Sequence, residues 1–224
     1  NAIKIDAILE SGYIEAFISD NPYSLFTTVG NSEKPDTIAA QILEGRVAIF
    51  IDGTPFVLTA PMLFIEQFQS AEDYYMRTFF SSFLRIIRFI SYFITLCGPA
   101  IYVALTTFHQ ELIPTQLLFT LVAGHSNIPF PAAVEAAVML LTFDILREAG
   151  IRLPQAVGSA ISIVGALVLG ESAVSAGLIG PFMVIVVAIT AICSFVVPAL
   201  YESTALLRYV LLFLASMMGG FGIL

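Results

Sequence analysis

The segment Ile128–Pro154, IPFPAAVEAAVMLLTFDILREAGIRLP, decides the fold. Its first two-thirds is apolar enough for lipid. Its last third gathers Asp144, Arg147, Glu148 and Arg152 before a glycine and a proline. Pro131 suits a first helical turn, where its missing N–H leaves no bond unmade. Glu135 follows one turn later, near the positive end of the helix dipole. Asp144 and Arg147 stand at i,i+3 spacing, which predicts a pair on one face, and Gly150 is expected to cap the helix. The two ends differ because they meet different surroundings, an apolar zone and a wet one.

Composition on either side agrees. The chain is 58% hydrophobic and 12% charged, against roughly 25% charged in a soluble domain. Residues 1–88 hold six Lys/Arg and eleven Asp/Glu, and residues 89–224 only three and six. A polar N-terminal part thus joins an apolar one, and the fold class is an α-helical membrane domain preceded by the end of a small α/β cytoplasmic domain. The expected divisions are 1–66 for that domain end, 67–88 for an amphipathic linker helix and 89–224 for the membrane domain. The net charge of −8 and the lack of any basic run exclude nucleic acid as a partner. Cys97 and Cys193 each sit in an apolar run without Cys-x-x-Cys spacing, so they read as packed thiols. The chain opens on Asn1 and stops at Leu224 inside an apolar segment, as a piece of a longer protein would.

In the polar part, the spacing of Ile5, Ile8, Leu9, Tyr13 and Phe17 predicts a helix over 3–18. Pro35-Asp36 opens a second helix that stops at Gly45. RVAIFIDGTPFVLTAP (46–61) reads as a β-hairpin with a type I′ turn at Asp52-Gly53. Its first strand, apolar from Val47 to Ile51, is expected to be covered on both faces, with Pro55 at an edge. No phosphate loop or nucleophile arrangement occurs, so neither an enzyme nor a cofactor is expected.

Arg77, Arg85 and Arg88 then precede an uncharged run, Phe89–Phe108. Its 20 residues span about 30 Å as a helix, the thickness of a bilayer's hydrocarbon core. Gly98-Pro99 predicts a kink. The arginines place the N-terminal domain in the cytoplasm. Leu112–Gly124 is short for a crossing, so both a re-entrant and a spanning path stay open for 112–149. Leu153–Tyr201 carries one charge, Glu171, and has length for two crossings split near Gly177–Pro181. Gly158, Gly165, Gly170 and Gly177 predict close helix packing in the first of them. A final apolar helix begins near Ser203. Glu171, with Ser172 beside it, and Glu135 are the candidate pore or gating residues, because a carboxylate within a span is costly and faces protein or water; the alternative for Glu171 is an interfacial carboxylate at a helix break, flanked by Gly170 and Gly177. For Asp144, Arg147, Glu148 and Arg152 an interhelical or headgroup-level salt-bridge cluster is expected. His109 is assigned a loop role, and His125 stands alone.

The strings GRVAIFIDGTPFVLTAP, DYY, FHQELIP, PFPAAVEA, DILREAGIRLP, SIVGALVLG and VIVVAIT occur in this order between Lys34 and Ile223. In this they resemble the A subunit of spore nutrient germinant receptors, the GerA spore germination family. The resemblance implies a subunit in the spore inner membrane, beside a transporter-like B subunit that binds the nutrient and a lipoprotein C subunit. It implies a homo-oligomer in the lipid bilayer forming a nutrient-gated cation channel. The chain departs from the family pattern at His125–Ile128, where a basic residue often precedes Pro-Phe-Pro. It departs again at Glu171, where many members have Gln, and at Leu140, where many are acidic. A non-conducting scaffold, a secondary transporter and the family relative that acts with the dipicolinate-release machinery are the alternatives.

Overall fold

The computed structural model describes residues 10–19, 21, 24–126, 128–152, 165 and 168–224. The chain divides into two compact units, one running to Phe89 and the other from Ile90.

The first unit is built on a three-stranded antiparallel sheet. Helix α1 (Ser11–Ile18) precedes strand β1 (Gly30–Ser32), helix α2 (Pro35–Leu43), strand β2 (Val47–Ile49) and strand β3 (Val57–Ala60). The strand order is β1-β3-β2, with Asn31 opposite Leu58 and Ala48 opposite Thr59. Leu58 is wholly buried and meets Ile14 of α1 and Val29 in the core. The first half of the helix predicted over 3–18 lies outside the described residues.

Helix α2 opens with Pro35 at its first position, as its sequence predicts, and Gly45 closes it. The Gly45 N–H donates to the carbonyl of Ile42, and the Arg46 N–H to that of Gln41. This is a Schellman closure, with Gly45 at φ +89°.

The hairpin differs from expectation in two ways. Asp52 keeps a negative φ, and only Gly53 is positive (φ +86°). A positive angle at the second central position alone is the type II requirement, not type I′. The strands also pair only outside residues 50–56, so Pro55 lies in the connection. Nor is β2 covered on both faces. It is an edge strand, and Val47 is 63% exposed. The buried central strand is β3, because the unforeseen β1 pairs with its other side.

The linker helix expected over 67–88 begins only at Thr78. Residues 64–68 and 71–74 form 3₁₀ turns, each closed by its own carboxylate. Glu66 accepts from the Leu63 N–H, and Asp73 from the Ser70 N–H. Asp73 also accepts from both Arg88 nitrogens, while Arg46 grips Glu66 with two nitrogens. The hydrogen bond from Arg88 holds the buried Asp73 carboxyl below the usual carboxylate range. At Glu66, burial pushes upward, but the bonds from Arg46 and Leu63 outweigh it and the carboxyl is lowered.

Helix α3 (Thr78–Thr107) runs 30 residues, about 45 Å, through Pro99 as one element. After it come α4 (Thr115–His125), α5 (Ala132–Arg152), a helical run α6 over 168–175, α7 (Pro181–Val196) and α8 (Tyr201–Met218). Gly150 does not cap α5, which continues to Arg152. The cap belongs to Gly177 (φ +65°) after α6, where Gly177 and Leu178 donate to the carbonyls of Val174 and Ala173. That is a second Schellman closure, and it turns the chain into Pro181 at the expected split. Val103, Leu140, Met183 and Leu212 bring α3, α5, α7 and α8 into one core. Ala100, Ala104 and Ala215 join α3 to α8 through small side chains. Among the described residues two helical stretches are long and apolar enough to cross a membrane, Thr78–Thr107 and Pro198–Gly222; Pro181–Val196 is apolar but shorter.

Candidate functional site

Among the described residues two polar clusters interrupt the apolar packing of the second unit. The first centres on Asp144 of α5. Its partner is Arg208 of α8, not the expected Arg147. One terminal nitrogen of Arg208 donates to both carboxylate oxygens at 2.7 Å. The hydroxyls of Tyr209 and Tyr201 donate to the same carboxylate at 2.6 and 2.8 Å. Tyr201 and Arg208 lie seven residues apart, two helical turns, so both reach one face of α8. The Arg208 side chain is fully enclosed, and its Nε and second terminal nitrogen have no hydrogen-bond partner. Arg147 instead stacks its guanidinium 3.3 Å from the Tyr201 ring centre and 5.1 Å from that of Phe195. It also donates to the Ser194 hydroxyl at 3.3 Å. Carboxylate, two arginines and aromatic faces thus tie α5, α7 and α8 together. Glu148 and Arg152 are separate from this. They form an exposed i,i+4 pair at the end of α5.

The second cluster centres on Glu135, 1% exposed, in the first turn of α5. Its Oε2 accepts from the N–H of Gly180 at 2.8 Å. Gly180 is the N-cap of α7, so the carboxylate faces the positive end of that helix. Its Oε1 lies 2.9 Å from Nε2 of His125, the last residue of α4. A side chain at Gly180 would meet the His125 ring at 3.0 Å, so glycine is what admits the imidazole. The enclosed Tyr102 hydroxyl of α3, without a hydrogen-bond partner, is in electrostatic reach of Glu135. Beside this junction is an apolar cavity of about 270 Å³, whose wall includes Glu135.

The family model for the Bacillus/Clostridium GerA spore germination protein matches residues 1–224. The chain belongs to this family. It is 54% identical over 224 residues to Spore germination protein KA of Bacillus subtilis (strain 168), covering 99% of this chain and 41% of that protein. It is 52% identical to the Uncharacterized membrane protein YfkQ of the same organism, covering 99% and 44%. To Spore germination protein GerLA of Bacillus cereus it is 44% identical over 226 residues, covering 100% and 46%. The chain therefore spans less than half the length of these curated relatives. No solved structure matches it.

Within this GerA family chain the sequence candidates separate. Glu135 is enclosed, whereas Glu171 and Ser172 are exposed on α6. Gly165 faces Leu146 of α5, and Gly170 is buried against Val184 of α7. Gly177 forms the turn, and Gly158 lies outside the described residues. His109 has the loop role expected of it, accepting from the Gly220 N–H at 3.1 Å. His125, read as solitary, is instead the neighbour of Glu135. Arg208, Tyr201 and Tyr209 were missed. The signal was present: an arginine inside a final apolar helix, two turns beyond a tyrosine, marks a face that needs an anion. Among the described residues no group of three or more His, Cys, Asp or Glu could hold a metal.

Proposed function

We propose that this chain is the core of a membrane subunit of a spore germinant receptor, which oligomerises into a nutrient-gated cation channel. Family membership supports the role in germination. The observation that carries the membrane reading is the enclosure of Glu135 and Arg208, with Asp144 on the latter, within helices of which two have membrane length. Ionisable groups in such a setting face protein or a water path and pair with one another. Partners on this reading are a transporter-like B subunit, a lipoprotein C subunit, further copies of the chain and the bilayer of the spore inner membrane. The N-terminal unit is cytoplasmic, because Arg77, Arg85 and Arg88 lead into the first apolar run. The purified full-length oligomer in a planar bilayer is expected to pass monovalent cations when the receptor's nutrient and partner subunits are present. Assembled oligomers that remain non-conducting under those conditions would leave the scaffold reading in its place.

A further inference from the structure

We infer that the first turns of α3, led by Tyr75 and Arg77, form a docking surface for the headgroup zone of an anionic phospholipid bilayer. The inference rests on the membrane reading of the chain. In these turns one side of the helix is taken by the first unit itself. Ser81 is buried there, and Arg88, two turns on, donates to the Phe68 carbonyl and to Asp73. The opposite side is free. Phe79, Phe83 and Ile86 follow one another at spacings of four and three residues, which sets them on one helical face. All three are exposed, Phe79 to 93%. Phe80 flanks this face and Tyr75 precedes it, both exposed as well. A contiguous apolar patch of this kind marks an interaction surface.

Helix length and charge select the occupant. With 30 residues α3 is about 45 Å long, whereas a hydrocarbon core is about 30 Å thick. The uncharged run begins at Phe89, so the surplus length falls on residues 78–88. Hydrocarbon does not suit these turns, because residues 77–88 carry three arginines. Water does not suit their phenylalanine face either. The headgroup zone accepts both, aromatic rings on one side and cations on the other. The charge sets the sign of the lipid. Residues 77–88 contain no acid. Asp73, which takes Arg88 and Arg85, offsets one of the three arginines, and Glu72 is paired with Lys34. Arg77 is exposed and enters no ion pair among the described residues. Positive charge therefore remains beside the apolar face, and it matches the phosphates of an anionic leaflet. A second copy of the same face would bring the same excess charge and be repelled.

The test uses the full-length subunit in nanodiscs of phosphatidylcholine and phosphatidylglycerol, with single photo-crosslinking replacements and mass analysis of the adducts. Phe79→p-benzoylphenylalanine and Phe83→p-benzoylphenylalanine keep an aromatic ring at each exposed position. Both are expected to give phospholipid adducts at about tenfold the yield of Leu43→p-benzoylphenylalanine, an exposed site at the end of α2. Among the adducts at Phe79, phosphatidylglycerol should exceed its share of the disc, and Arg77→Gln should lower that excess by about fivefold. Phe93→p-benzoylphenylalanine, within the uncharged run of α3, reports on the membrane reading by itself. Lipid adducts there with none at Phe79 and Phe83 would overturn the docking surface and leave the membrane reading standing; none at all three would remove both. Equal yields at Leu43, crosslinks to a second copy in place of lipid, or a phosphatidylglycerol excess unchanged by Arg77→Gln would also overturn the inference.

Discussion

A carboxylate that accepts four hydrogen bonds, two from an enclosed guanidinium and two from phenols, holds its neighbours whether or not it also conducts. Removing one partner strands a buried charge, which costs about 3–5 kcal/mol where water is excluded. Asp144→Leu alone, which leaves the enclosed Arg208 without its anion, is therefore expected to destabilise the helical unit by about that amount, and Asp144→Leu with Arg208→Met together by much less. Unfolding of single and double variants in mixed micelles measures the difference; equal losses would mean that the pair is not the lock. Asp73 poses the same problem in the first unit, in a form that pH can read. Its carboxyl is held below the ordinary value of about 3.9 by Arg88, so its stabilisation is present above that value. It is lost as pH falls through the folded-state value. Asp73→Asn should be less stable than wild type at neutral pH, and the gap should close below about pH 3.9. Acid unfolding of the two, followed by far-UV circular dichroism, checks this; a gap that persists into strong acid would refute it. At this scale the sequence is weakest. It shows that Arg208 and Glu135 are expensive where they stand, but a partner 64 residues away, as Asp144 is from Arg208, leaves no local trace.

Among elements, the legible ones carry their own punctuation. Pro35 and Pro181 open α2 and α7, and Gly45 and Gly177 close α2 and α6 with the same pair of bonds. The edge strand β2 was misread because a run such as VAIFI records hydrophobicity without saying which neighbour will cover it. Gly150 misled in the opposite way. A glycine is tolerated inside a helix at a cost of about 1 kcal/mol, and α5 carries it through to Arg152. Of the four glycines expected to pack helices, Gly165 and Gly170 stand against another helix. A Cβ at Gly165 would stand 2.9 Å from a terminal methyl of Leu146 on α5. Alanine there asks only that one leucine methyl shift, whereas leucine needs the helices to separate. Gly165→Ala should thus assemble nearly as wild type, and Gly165→Leu should lose thermal stability in mild detergent while the N-terminal sheet stays folded. Sizing and thermal unfolding of both variants test this, and a Gly165→Leu protein as stable as wild type would contradict the close approach.

For the whole molecule, family membership was legible because seven short strings stand in a fixed order between Gly45 and Thr190. Which carboxylate would meet an ion path on the channel reading was not legible, because the two candidates look alike in sequence. The structure treats them differently. Glu135 is bound at the helix junction, with a backbone N–H and an imidazole against it. Glu171 is exposed on α6, whose Gly170 packs against α7. An exposed carboxylate repeated by symmetry would form an acidic ring, which concentrates cations and rejects anions, as such rings do in cation channels. At the membrane surface, salt would screen the same charge within about 10 Å. Glu171→Gln keeps size and removes charge, and an exposed position leaves folding unaffected. On the pore reading, the reversal potential under a salt gradient should move toward zero while the oligomer keeps its size. Glu135→Gln, at an enclosed site, should change stability more than selectivity. Identical reversal potentials for wild type and Glu171→Gln, with normal oligomers, would remove Glu171 from the ion path.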